Sequence, residues 1–171
     1  MGLMNNTISL DLEGEKISFQ RAREIIKAVL ETGKPIELIA AGYSMFPTFR
    51  SGDKITVKPL VNEEVPVLGS VLVYENNGVF VMHRLINIIT AKSGKKLFVT
   101  RGDSLNEPDK PWPQQQLLGV AVSYKRSGKE HLIKKFIPDA WRYKYNRRFL
   151  WMFGKIKRLS MGPGKLLKSK Q

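Results

Sequence analysis

A serine stands in a loop that its neighbours restrict. Ser44 lies in residues 41–48, shortly after Gly42 and before Pro47, and a Ser-Gly-Asp sequence follows at 51–53. The proline ring fixes φ and so helps to hold the loop rigid. A serine hydroxyl is a weak nucleophile unless a base lies within hydrogen-bond reach. Because most serines beside a glycine simply occupy turns, this loop predicts chemistry only if the chain also supplies such a base.

The candidate base is His83. The chain has only two histidines, and His83 stands inside the strand-like segment 79–85, whereas His131 lies far along the chain. An imidazole can take and return a proton near neutral pH, which suits a general base. A histidine in a strand is more often structural, so His83 indicates a catalytic role only together with Ser44.

Two aspartates could orient that imidazole. Asp103 follows Gly102, and Asp109 follows Pro108 a few residues later. A carboxylate beside the imidazole fixes its tautomer and stabilises the imidazolium. The simpler alternative is a polar turn in which Asp103 bonds the backbone of its own loop. Both aspartates stay candidates on the sequence alone.

The elements that must position these residues begin with a short extended pair and a helix. Residues 7–18 predict the pair, with a turn at Gly14, and residues 19–32 predict the helix, with Ser18 as its cap. Gly33 ends the helix. The apolar residues of the helix recur at three- and four-residue spacing and predict one buried face, which consists of Ala22, Ile25, Ile26, Val29 and Leu30.

The middle of the chain has the pattern of an antiparallel β-structure. Short apolar runs predict strands near 36–41, 54–58, 70–75, 79–90, 96–100 and 117–124, with a further one near 131–136. Asn77-Gly78 predicts a hairpin, because both turn residues tolerate positive φ. Turns are also expected at Ser93-Gly94 and at 51–53. Strands joined by tight turns without alternating helices favour a partly closed, antiparallel fold.

The order of these segments resembles that of the signal peptidase I family, whose wider group includes the self-cleaving LexA-like repressors. That family has a serine box S-M-x-P-T followed by G-D, and residues 44–48 and 52–53 match both parts. Its second box is a base followed by Arg and an aliphatic residue, matched by residues 83–85. Bacterial members have lysine as the base, whereas archaeal and endoplasmic-reticulum members have histidine, like this chain. Its third box, G-D with another Asp shortly after, matches 102–103 and Asp109.

The resemblance covers residues 36–124 and implies a serine endopeptidase. Ser44 would attack the scissile carbonyl, and His83 would take its proton and later deliver it to the leaving amine. Asp103 or Asp109 would orient His83. The fold that it implies is mainly β, a signal-peptidase/LexA-like antiparallel catalytic core with an N-terminal helix and a C-terminal basic amphipathic helix.

The resemblance also implies details of the reaction. The backbone N–H of Ser44 is the expected oxyanion donor. Gly42 stands where some bacterial members have a hydroxyl as a second donor, so that donor is missing or replaced. The expected substrate is a leader or precursor peptide cut after small residues. With histidine as base, we expect activity to fall below about pH 6, as the imidazole becomes protonated.

Other functions remain open at this stage. The same β-core could bind an extended peptide at a strand edge without cleaving it. A LexA-like self-cleaving regulator is a further alternative, although only residues 1–35 precede the core and that branch uses lysine. The chain has no cysteine and no G-x-x-x-x-G-K-[ST] loop, and its two histidines lie far apart. We therefore expect neither a metal site nor a cofactor.

The basic charge of the chain belongs to its C-terminal part. Residues 1–124 carry 14 Lys/Arg and 13 Asp/Glu, whereas residues 125–171 carry 15 and 2. We expect an N-terminal segment (1–35), the core (36–136) and a basic C-terminal segment (137–171). Such a charge asymmetry indicates an anionic partner, so a protein that acts mainly through 125–171 on lipid or nucleic acid is a third functional class.

Residues 138–160 of that segment predict an amphipathic helix. Its apolar stripe consists of Trp141, Tyr145, Phe149, Met152, Ile156 and Leu159. The stripe could lie in an anionic membrane surface or pack on the β-core; an acidic partner such as nucleic acid would rest on charge alone. No run of roughly 20 apolar residues is visible, and no basic segment precedes an apolar one as in a signal peptide. We therefore expect a cytoplasmic protein, with or without peripheral membrane contact.

Overall fold

The computed structural model describes residues 11–12, 15–16, 19–60 and 65–160, with side chains described for 20–60 and 65–152. In chain order the elements are β1 (Asp11–Leu12), β2 (Glu15–Lys16), α1 (Phe19–Glu31), β3 (Ile36–Ile39), β4 (Lys54–Lys58), β5 (Val71–Asn76), β6 (Val79–Thr90), β7 (Lys96–Arg101), β8 (Trp112–Pro113), a 3₁₀ turn (Gln114–Gln116), β9 (Leu117–Arg126), β10 (Lys129–Leu132) and α2 (Ala140–Ser160). Within these residues the protein is mainly β, as predicted.

The strands β3 to β10 form one antiparallel sheet. Their order is β3-β4-β9-β5-β6-β7-β8, and β10 pairs with β9. The hairpin predicted at Asn77-Gly78 joins β5 to β6, with φ values of 49° and 75° at its two turn residues. Across this hairpin Asn76 pairs with Val79 and, further along, Leu72 pairs with His83. The hairpin thus fixes the register of the strand that carries the candidate base.

The central strand β5 is buried on both of its faces. Val71 and Val73 belong to one apolar cluster, and Leu72 and Tyr74 belong to a second. Alternate residues of a strand point to opposite faces, so the two clusters lie on the two sides of the sheet. Helix α1 closes the first cluster through the face that the sequence predicted, of which Ala22, Ile26 and Leu30 are buried.

Two predicted details fall outside the described residues, one predicted strand lies elsewhere, and one strand was not predicted. β1 and β2 pair antiparallel within the predicted extended pair, but its turn at Gly14 and the cap at Ser18 are not among the described residues. The strand predicted near 131–136 instead covers Lys129–Leu132. A tight turn at Ser127-Gly128, with φ of 50° and 78°, lets the strand begin earlier and among charged residues, where no apolar run marks it. β8 was not predicted.

Helix α2 docks on the body through Tyr143 and through only part of its predicted apolar stripe. Tyr143 is buried, with its ring 3.5 Å from the guanidinium carbon of Arg101. Phe149 stacks on Phe46 at 5.6 Å between ring centroids. Trp141 and Tyr145, by contrast, are 61% and 60% exposed. Of the predicted stripe, Phe149 thus contacts the body whereas Trp141 and Tyr145 are exposed, and Ile156 and Leu159 lie beyond the described side chains.

Candidate active site

His83 meets Asp109 at the buried end of the candidate site. The histidine is 4% exposed, and its Nδ1 lies 2.7 Å from Oδ2 of Asp109. The same carboxylate oxygen accepts hydrogen bonds from the hydroxyl groups of Tyr74 (3.0 Å) and Thr100 (2.7 Å). Of the two aspartates that the sequence left open, Asp109 is thus the one that contacts Nδ1 of the histidine.

The surroundings of Asp109 favour its charged form. Burial alone would raise the pKa of this carboxyl, but hydrogen bonds from His83, Thr100 and Tyr74 outweigh burial and lower the pKa below its usual value. Burial, and then the charge of Asp109, raise the pKa of Tyr74 well above its usual range, so the phenol stays a proton donor. An ionised carboxylate only accepts hydrogen bonds. Nδ1 of His83 therefore carries the proton, and Nε2 is the basic nitrogen of the neutral ring.

Three residues support the position of the Asp109 carboxylate. Trp112 of β8 donates its indole N–H to the Thr100 hydroxyl at 2.9 Å, and its ring stacks on Tyr74 at 4.0 Å between centroids. Tyr74, Thr100 and Trp112 are all buried. Sequence reasoning missed them, because an alternating strand pattern shows that a residue points inward and not which inward residues meet.

Asp103 belongs to a separate ion pair. Its two carboxylate oxygens accept hydrogen bonds from Nε and Nη2 of Arg84, at 2.8 and 2.7 Å. Both side chains are almost fully buried. The hydroxyl of Thr48 also donates to Asp103, which ties the ion pair to the serine loop (residues 40–53). Asp103 is therefore placed to hold that loop.

Arg84 uses the rest of its guanidinium to join distant segments. Its Nη1 donates to the carbonyl oxygens of Gly69 (2.7 Å) and Lys134 (2.9 Å), and the Phe136 ring lies 4.6 Å from its central carbon. A buried charge pair that loses one partner typically costs about 3–5 kcal/mol. The residue directly after His83 thus has a structural role.

The serine loop is closed at its base by Asp53. Backbone hydrogen bonds join Ala40 N–H to the Asp53 carbonyl at 2.9 Å and Gly52 N–H to the Ala40 carbonyl at 2.8 Å. The Asp53 side chain accepts the Arg50 backbone N–H at 2.8 Å and both ends of the Arg126 fork at 3.0 and 2.5 Å. The Gly-Asp pair after the serine therefore anchors the loop to β9.

The loop brings the backbone of Ser44 against the segment that follows β7. Arg84 of β6 pairs with Arg101 of β7. Because the two strands are antiparallel, His83, which precedes Arg84, and Gly102, which follows Arg101, are the next residues at this end of the strand pair. A Cβ atom built on Gly102 would lie 2.7 Å from the carbonyl oxygen of Ser44. Ser104 donates its backbone N–H to the same oxygen at 2.9 Å. Glycine at 102 is thus needed for this close approach.

A small apolar pocket borders Ser44. Its volume is about 10 Å³, and its walls are Ala40, Ala41, Gly42, Ser44, Met45, Phe49, Phe80 and Met82. This space would hold roughly one water molecule, which favours a small side chain. Phe80 and Met82 come from β6, the strand that also carries His83. The pocket and the candidate base are therefore built in part on the same strand.

Among the residues that the structure describes, no three His, Asp or Glu side chains group as a metal site would require. In the same part of the chain, no helix is long and apolar enough to pass through a bilayer.

No protein-family model matches the chain, and no curated protein matches it significantly.

Proposed function

We propose that the protein is a serine endopeptidase of the histidine-type signal-peptidase kind, with Ser44 as nucleophile and His83 as general base. The observation that carries the proposal is the contact of 2.7 Å between Nδ1 of His83 and Asp109. A buried imidazole oriented by an ionised carboxylate is the arrangement that activates a serine hydroxyl. The packing of Ser44 against the segment opposite His83 supports the same assignment.

The reaction would proceed through an acyl-enzyme. The Ser44 hydroxyl oxygen attacks the scissile carbonyl carbon while Nε2 of His83 takes its proton, and Asp109 stabilises the imidazolium. The tetrahedral intermediate collapses as His83 gives the proton to the leaving amine. A water molecule then attacks the ester on Ser44, with His83 again as base, and the new carboxyl end is released. The backbone N–H of Ser44 would donate to the oxyanion.

The pocket beside Ser44 favours a substrate with a small residue before the cleaved bond. Alanine or glycine suits a pocket of this size, whose walls include Met45 and Met82. This fits the resemblance to peptidases that process leader or precursor peptides. The β-core would then be a peptidase core, with the substrate held in extended form beside the serine loop.

Hydrolysis of a mixed peptide library, read by mass spectrometry, tests the proposal. The wild type should cut after small residues, and Ser44→Ala and His83→Ala should not. Ser93→Ala and His131→Ala are matched controls, since both residues are exposed and should keep full activity. Equal cleavage by wild type and Ser44→Ala would exclude the mechanism.

The same experiment can also reveal a non-catalytic module that binds peptides without cleaving them. In that case the wild type would retain peptides and release them uncut, and Ser44→Ala would bind equally well. An exposed strand edge could bind such a peptide as an additional strand. The library assay, followed by recovery of bound peptides, distinguishes retention from cleavage.

A further inference from the structure

Helix α2 presents large apolar side chains to solvent along one stripe, part of which borders an open groove beside the serine loop. Trp141, Tyr145 and Met152 are 61%, 60% and 53% exposed. Residues at spacings of four and seven lie on one face of a helix, so these three form a continuous stripe. Tyr143 and Asn146 hold the helix to the body. Trp151, next to the stripe, is 62% exposed.

The charges around this stripe are all of one sign. Lys144 and Arg148 are exposed on one flank, and Arg142 is exposed on the other. Helix α2 contains no aspartate or glutamate. A positively charged face with tryptophan and tyrosine at its centre complements a surface that is both anionic and partly apolar. The interface of a bilayer with anionic headgroups has these two properties, since aromatic rings favour the headgroup region.

We propose that the exposed face of α2 binds anionic membrane surfaces and lies in the plane of the interface. The aromatic side chains enter the boundary between headgroups and acyl chains, and the basic residues bind the headgroups. Nucleic acid is the less favoured occupant, because a phosphate backbone would complement the charge and leave the Trp141–Met152 stripe in water.

Membrane binding would place the serine loop at the lipid surface. An open groove of about 290 Å³ separates that loop from α2, and its walls include Pro47 and Thr48 on one side and Trp141 and Tyr145 on the other. Asn146 also donates to the Asp103 backbone carbonyl at 2.9 Å. A helix fixed in the interface would therefore hold the candidate site close to segments that emerge from the bilayer. The binding step itself is independent of hydrolysis.

Co-sedimentation of the full chain with vesicles tests the inference. We expect binding to vesicles of phosphatidylcholine with phosphatidylglycerol and little binding to phosphatidylcholine alone. Lys144→Gln with Arg148→Gln should lower the partition coefficient roughly 30-fold, because each basic residue near such a surface contributes about 5-fold. Lys95→Gln with Lys96→Gln removes the same charge at an exposed hairpin and should leave binding unchanged.

The aromatic side chains need their own test, because charge alone could produce weak attraction. Trp141→Ala with Tyr145→Ala should lower binding about 10-fold or more, since their buried apolar area is lost. Brominated lipid should quench tryptophan emission in the wild type, because the exposed Trp141 can reach the lipid whereas Trp112 is buried. Absence of quenching, equal binding to neutral vesicles, or binding to a DNA duplex with none to anionic vesicles would overturn the inference.

Discussion

Gly102 lies so close to Ser44 that a single methyl group would collide with the serine backbone. A Cβ atom at residue 102 would lie 2.7 Å from the Ser44 carbonyl oxygen and 2.9 Å from the Leu105 side chain. Gly102→Ala should therefore displace the serine loop and lower kcat/KM for peptide cleavage by about 10²-fold, since a shift of roughly 1 Å at a nucleophile has such effects.

The control for this substitution is Gly94→Ala. Gly94 has φ of +77° and no atoms near its would-be Cβ, so alanine there strains the backbone by roughly 1 kcal/mol without touching the site. We expect a modest loss of stability and unchanged kcat/KM for Gly94→Ala. If Gly102→Ala kept wild-type kcat/KM, the close packing of Ser44 on residue 102 would not be needed for catalysis.

Substitutions of the two aspartates should change different properties: kcat for Asp109 and the free energy of unfolding for Asp103. Asp109→Asn keeps the shape of the side chain but loses the charge that fixes the His83 tautomer, so kcat should fall on the order of 10³–10⁴-fold. Asp103→Asn removes the charge that neutralises Arg84 and should lower the free energy of unfolding by about 3–5 kcal/mol. Peptide cleavage and urea denaturation of both variants provide the comparison. A larger loss of kcat in folded Asp103→Asn than in Asp109→Asn would contradict the assignment.

Acid should destabilise the fold through Asp109. Its pKa is lowered in the folded state, whereas an unfolded aspartate titrates near pH 3.9. The stability that this group contributes is complete above the unfolded value and is lost as the pH falls through the lower folded value. Urea denaturation between about pH 6 and 2.5 should show the difference between wild type and Asp109→Asn shrinking below pH 4. An equal difference between wild type and Asp109→Asn at both ends of this pH range would contradict the assignment.

Local patterns predicted most of the fold, because local physics decides those elements. The face of α1 follows from helical spacing around Ile26, and the β5–β6 hairpin follows from the positive φ that Asn77 and Gly78 tolerate. The docked face of α2 could not be predicted in this way. Trp141, Tyr145 and Met152 of its apolar stripe are exposed, and one of the contacts that hold the helix is Tyr143 against Arg101, a pair that depends on where β7 ends.

The candidate site was predictable as a set of residues but not as an arrangement. Ser44, His83 and the two aspartates stand out by type and spacing. The choice between Asp103 and Asp109 depends on the path of the chain after β7, which turns Asp103 toward Arg84 and returns Asp109 to Thr100 through a backbone hydrogen bond of 2.8 Å. Nothing in the spacing of the aspartates encodes that return.

Thr100 should act through Asp109 and not on the substrate. Thr100→Val keeps the volume but removes the hydroxyl that donates to Asp109 and accepts from Trp112. Since that hydrogen bond lowers the pKa of Asp109, the acid-induced loss of stability should move to higher pH. The indole N–H of Trp112 loses its partner, which should cost about 1–3 kcal/mol. We expect a fall in kcat of about 10-fold with little change in KM, because the hydroxyl holds the group that orients His83. Thr90→Val, at an exposed strand end, is the matched control, and an unchanged acid profile in Thr100→Val would exclude this positioning role.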